Sequence, residues 1–205
     1  MRLRNAVAVV STLALGAGAV LATAPAAGAA QGNRSLAKVL TSDGNRFDKK
    51  AGDFDIATEA VLAVVKAKPG SAVAVLADGK TRVTAFVPTD RAFKALVFDL
   101  TGTWYYKEKK AFNAAASLGI DTIETVLLYH VVPGKTIDAG TALRSDGVQL
   151  TTAQGGKVGV DVRAGKRVYL VDADPDDRNA RVTQPDINEG IHQHTQAPTH
   201  DVREC

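Results

Sequence analysis

Few side chains in this chain have types and spacings that could do chemistry. Asp172-Ala173-Asp174-Pro175-Asp176-Asp177-Arg178-Asn179 alternates three carboxylates, as the oxygen ligands of a calcium loop do. An EF-hand loop also needs glycine at its sixth position and glutamate at its twelfth. Asp177 and Thr183 stand there, and Pro175 stiffens the segment. A solvated acidic hairpin loop is the better reading, with weak calcium binding a minor one. His192-x-His194, with His200 beyond, could turn two imidazoles toward zinc, but no third ligand falls at a recognised spacing. No metal and no cofactor are therefore expected. His130, between Tyr129 and Val131 at a helix end, could serve as a base or ligand. A histidine in that position more often satisfies a carbonyl or the helix dipole. Nucleophile chemistry is unsupported: there is no Gly-x-Ser-x-Gly elbow, and Cys205 is terminal. Gly155-Gly156 belongs to a hairpin, not to a phosphate-cradling loop. The chain is expected to bind, not to catalyse.

The aromatic run Trp104-Tyr105-Tyr106 is the most informative feature outside any motif. Three adjacent aromatics cannot all face one core, and exposed ones make binding anchors. Burial is expected for Trp104, while Tyr105 and Tyr106 are open between packing and exposure. Alanine at Tyr105 or Tyr106 is expected to spare the fold and weaken binding.

The elements that must position these residues can be read from periodicity. Ile56, Ala60, Ala63, Val64 and Ala67 share one helical face, with Asp55 as the expected N-cap and Pro69-Gly70 as the stop. Ser71 to Leu76 suits a strand or a short helix equally. Arg82 to Val87 alternates as a strand and ends at Pro88, and Thr89 caps a helix carrying Ala92, Phe93 and Leu96. Thr101 to Tyr106 reads as a loop, Lys107 to Leu118 as a helix. Within it, Lys107-Glu108-Lys109-Lys110 reads as a solvated face. Asp121 to His130 is the clearest helix, with Asp121 and Glu124 at capping-box spacing. After Pro133-Gly134 the period turns alternating: Val148–Leu150, Val158–Val162, Val168–Val171 and Ala180–Val182 read as antiparallel strands. Helices first and strands later make the class α+β.

The totals bound the setting. Met1-Arg2-Leu3-Arg4, the apolar run Ala6–Leu21 and the small residues Ala27–Ala30 read as a secretory signal peptide cut after Ala29 or Ala30. The run is too short and alanine-rich to be favoured as a retained anchor. Residues 31–205 remain, enough for one domain with its own core. With one cysteine, Cys205, no intrachain disulfide is possible. The formal net charge is +3, of which Arg2 and Arg4 belong to the leader. The near-neutral remainder offers no field for nucleic acid or membrane. Asn33-Arg34-Ser35 fits the common N-glycosylation pattern.

Thr84-Ala85-Phe86-Val87-Pro88-Thr89-Asp90-Arg91-Ala92-Phe93 resembles the first signature of fasciclin-like domains, and Leu127-Leu128-Tyr129-His130-Val131-Val132-Pro133-Gly134 resembles their Tyr-His segment. The resemblance spans roughly Ser35 to His192. It implies a twisted antiparallel β-sandwich or wedge packed with several helices. It further implies a secreted or cell-surface module for adhesion or contact with extracellular protein or matrix, expected as a monomer. Some family members contact receptors through the region matching Tyr129 and His130. The candidate binding residues are thus Trp104, Tyr105, Tyr106, Tyr129 and His130. The alternative is a small-molecule-binding or enzymatic domain using a helix/sheet cavity near His130.

The chain departs from the resemblance at its end. Asn188-Glu189-Gly190-Ile191-His192 begins the family's last segment, but residues 193–205 lack the alternating apolar strand that should follow. The expected organisation is signal peptide 1–30, domain 31–192 and an atypical tail 193–205, with one sheet strand in doubt.

Overall fold

A helix with one apolar face and a sheet with one apolar face must each bury it, and here they bury it against one another. The computed structural model describes residues 35–42, 44, 46–173 and 179–186, and the backbone of 193–199. All lie within one unit, Gln31–Cys205.

Helix α1 (Leu36–Leu40) opens the described chain, its first turn capped by the Ser35 hydroxyl, which accepts from Lys38 N. Helix α2 (Asp55–Ala67) buries Ile56, Ala57, Ala60, Val61 and Val64, the spacing that periodicity gave it. Its start differs from expectation. Asp55 is the first helical residue, the cap position is Phe54, and no local side chain caps it. The Ile56 amide instead donates to Asp90 Oδ1 at 2.9 Å, an acceptor lent by another helix.

The ambiguous Ser71–Leu76 segment is helical: a 3-10 turn, Ala72–Ala74, leads into α3 (Val75–Asp78). Strand β1 (Val83–Phe86) is buried on both faces. Helix α4 (Asp90–Thr101) follows, with Thr89 Oγ1 accepting from Ala92 N at 3.3 Å, and stops at Gly102 with φ 67°. That left-handed cap is a conformation glycine takes without steric cost. The expected loop from Thr101 therefore begins one residue later.

Helix α5 (Glu108–Ser117) corrects the reading of its own first turn. Glu108 is 1% exposed, not solvated. It accepts from Lys94 Nζ at 3.0 Å and from Asp48 N at 2.6 Å. Helix α6 (Ile120–Tyr129) begins at Ile120 behind Gly119, and no side chain caps it. Asp121 and Glu124 are not a capping box; both carboxylates take Lys68, tying the end of α2 to the start of α6.

Strand β2 (Val131–Pro133) leaves α6 directly and pairs antiparallel with β1. Thr84, buried in β1, donates to Lys135 O at 3.0 Å and accepts from Ile137 N at 2.9 Å, pinning the chain beyond β2. A short α7 (Ala139–Ala142), unexpected from sequence, is capped by Asp138. Strands β3 (Gln149–Thr151), β4 (Lys157–Arg163), β5 (Arg167–Val171) and β6 (Ala180–Gln184) form the antiparallel run that alternation foretold.

The sheet strand left in doubt is present in the tail. Residues 193–199 form β7 (Gln193–Thr199), which lies between β1 and β6 in a 7-stranded sheet ordered β2-β1-β7-β6-β5-β4-β3. Its pairing with β1 is parallel, and every other neighbouring pair is antiparallel. The physical reason is that an interior strand is held by ladder hydrogen bonds on both edges, which backbone amides supply without apolar side chains; Pro198, which has no amide hydrogen, sits near the strand end where the β6 register is irregular.

Two apolar clusters result. One packs α2, α4, α5 and α6 on β1 around Ile56, Val64, Val83, Phe93, Val97 and Leu127. The other joins Phe86 and Val132 to Leu150, Val158, Val168 and Leu170, residues from opposite ends of the strand order. The sheet therefore curls until its ends share a core. Ala153 N donates to Val131 O at 2.7 Å across the closure.

Candidate functional site

The curl leaves a cavity of about 310 Å³ between the helices and the sheet. Leu96 of α4 and Thr125, Val126, Tyr129 and His130 of the α6 end form its helical wall. Phe86, Val158, Leu170 and Ala180 form its sheet wall, and Gln154 and Asp172 complete the lining.

Tyr129 and His130 are placed by the passage from α6 to β2. The His130 amide donates to Leu127 O and its carbonyl accepts from Phe86 N at 2.8 Å, so its backbone ends the helix and joins the sheet. The ring returns to the helix, with Nδ1 2.7 Å from Val126 O. A carbonyl only accepts, so Nδ1 carries the hydrogen and Nε2 is the acceptor nitrogen of the neutral ring. This is the carbonyl-satisfying role expected for a histidine at a helix end. Tyr129 meets His130 edge to face, ring centroids 6.0 Å apart. Its ring lies over Gly156, where a Cβ would stand 3.0 Å from Tyr129 Cε2. Burial, and then the Asp172 carboxylate, raise the Tyr129 phenol above its ordinary value.

The aromatic run divides. Trp104 is half-buried against Phe98, edge to face with centroids 6.1 Å apart. Tyr105 packs against the helical core, so alanine there removes core packing and the expectation that it spares the fold is withdrawn. Tyr106 is 85% exposed. Phe98 and Leu100 of α4 are also partly exposed, Phe98 against Trp104 and Leu100 beside Leu118. None of the run lines the cavity among its described walls. The two halves of the candidate surface are therefore separate features.

A third grouping escaped the sequence. Asp53, Asp55 and Asp90 bring carboxylate oxygens within 4.8 Å of one another, as do Asp48, Asp55 and Glu108. They meet where the N-termini of α2 and α4 converge, ends whose dipoles favour anions. Asp90 is fully buried. Desolvation, opposed by the Ile56 amide and reinforced by Asp53, pushes its carboxyl up to about 8. It is therefore mostly protonated at neutral pH, a state the neighbouring Asp53 favours. Asp90 Oδ2 and Asp53 Oδ1 are buried with no hydrogen-bond partner among the described residues, and a neutral Asp90 carboxyl lowers the cost of that crowding. Only spacing over 35 residues could have revealed the pair.

The acidic loop's residues 174–178, His192, His200, Asn33, Cys205 and the leader 1–30 lie outside the described residues, and the His194 side chain likewise. Among described residues, no helix is long and apolar enough to cross a membrane.

Comparison with known proteins is consistent with this architecture. The family model described as Fasciclin domain matches residues 57–190, well over half the chain. No curated protein matches it. Among solved structures, a FAS1 domain pair from the insect cell adhesion molecule fasciclin I is similar at TM-score 0.53 and 18% identity. The match covers 83% of this chain and 51% of the other, so the chain spans about half the length of that pair. At that identity the likeness shows the fold.

Proposed function

Because the chain belongs to the Fasciclin domain family, we propose that it is a secreted, non-catalytic contact module that docks an extracellular protein or matrix component. The docking surface is formed by Phe98, Leu100, Trp104 and Tyr106. The observation that carries this reading is Tyr106, 85% exposed beside a half-buried Trp104 that is already held by Phe98. A large aromatic left in water, next to one fixed in place, is the arrangement of an interface anchor with its support. Tyr129 and His130 are half-buried around the cavity, so the exposed residues carry more of the contact. His130 is committed through Nδ1 to its own helix, which supports a positioning role over a catalytic one.

The test is adhesion of host cells or matrix protein to the immobilised chain, compared with Tyr106→Ser and Leu100→Ser variants. The double variant should keep its melting temperature and lose about tenfold or more in binding. Undiminished binding by a well-folded double variant would refute the surface. Mass spectrometry of the exported protein tests cleavage after Ala29 or Ala30.

A further inference from the structure

We propose that the cavity behind Tyr129 and His130 is a binding site for a small, uncharged, mainly apolar molecule with one hydrogen-bonding end. This goes beyond the contact reading and uses none of its surface residues.

Size sets the first limit. About 310 Å³ lies at the lower end of small-molecule sites and holds a compact molecule of two or three rings, not a peptide helix. The walls set the second. Phe86, Leu96, Val126, Val158, Leu170 and Ala180 present hydrocarbon from both helices and sheet. Water in such a space finds few partners, and an apolar occupant removes that cost. Polar groups gather at Tyr129, His130, Gln154, Thr125 and Asp172. Tyr129 and His130 are also held in place, by the Gly156 backbone and by the Val126 carbonyl, so little side-chain freedom is lost on binding. Charge sets the third limit. Asp172 is the acidic group in the lining, and an anion would face its carboxylate.

Titration of the full chain with the neutral fluorophore N-phenyl-1-naphthylamine tests this. Enhanced, blue-shifted emission should saturate with a dissociation constant on the order of tens of micromolar. The anionic 1-anilinonaphthalene-8-sulfonate should bind at least about tenfold more weakly, and Asp172→Asn should narrow that gap. Ala180→Phe takes up roughly a third of the cavity and should weaken the neutral probe about tenfold or more. If Ala180→Phe fails to fold, Thr125→Met fills the space from the helix side. Tyr106→Ser should leave probe binding unchanged, so failure here and failure of the contact surface are told apart. No saturable binding, or equal binding by a folded cavity-filled variant, would overturn the proposal.

Discussion

Asp90→Asn should leave stability unchanged near pH 4 and raise it progressively as pH climbs toward 8. The carboxyl is fully buried, and its folded value stands near 8 against an ordinary value of 3.8. The folded state therefore holds this proton more tightly than the unfolded chain. The sign follows: the Asp90 contribution is fully present below about pH 4 and is lost as pH climbs from there toward 8. Through that window the loss approaches about 1.4 kcal/mol per pH unit. An asparagine keeps the acceptor for the Ile56 amide, is neutral as the protonated acid is, and has no proton to lose. Variant and parent should be close near pH 4, and the variant should lead by several kcal/mol at pH 8. Urea unfolding followed by Trp104 fluorescence at pH 4, 5, 6, 7 and 8 measures the difference, which cancels other groups common to both chains. A constant deficit of the variant at every pH would refute the raised Asp90 value and show that Asp90 is needed as an anion.

Three further outcomes rest on single contacts. Lys94→Met should cost about 3–5 kcal/mol because it strands the Glu108 carboxylate in the core, and adding Glu108→Gln should recover part of it; chemical denaturation of both variants checks the order. Gly156→Ala should cost about 1–3 kcal/mol by driving a methyl to 3.0 Å from the Tyr129 ring, and should weaken the neutral cavity probe. Thr84→Val should cost about 1–3 kcal/mol by leaving the Ile137 amide and Lys135 carbonyl without their buried partner, with an unchanged far-ultraviolet dichroism spectrum as the sign that the fold persists.

What the sequence revealed divides by the range of the interaction. Thr89 was legible as a cap because its acceptor serves an amide three residues on. The Ile56–Val64 face was legible because helical packing repeats every three or four residues. Asp90 was not legible as a buried neutral acid, because the Ile56 amide it accepts from lies 34 residues away. Glu108 was hidden among three lysines, since a charged run names no partner and Lys94 belongs to another helix. The cavity was legible only as an alternative near His130, and most of its lining was not, because its walls come from six separate elements and the segments joining them.

The Tyr-His segment shows why a legible motif can still mislead about function. Its backbone closes α6 and starts the sheet through Phe86, and its imidazole satisfies the carbonyl of Val126. Any sequence that makes this helix-to-strand passage needs a residue able to do both, whatever the domain binds. The motif thus identifies the fold strongly and the ligand weakly. The recognition proposed above lies where the passage imposes nothing: in Tyr106 and Leu100, which are exposed, and in Leu96, Ala180 and Asp172 around the cavity. None of these is required to close the helix or pair the strands, so each could change its ligand without changing the fold.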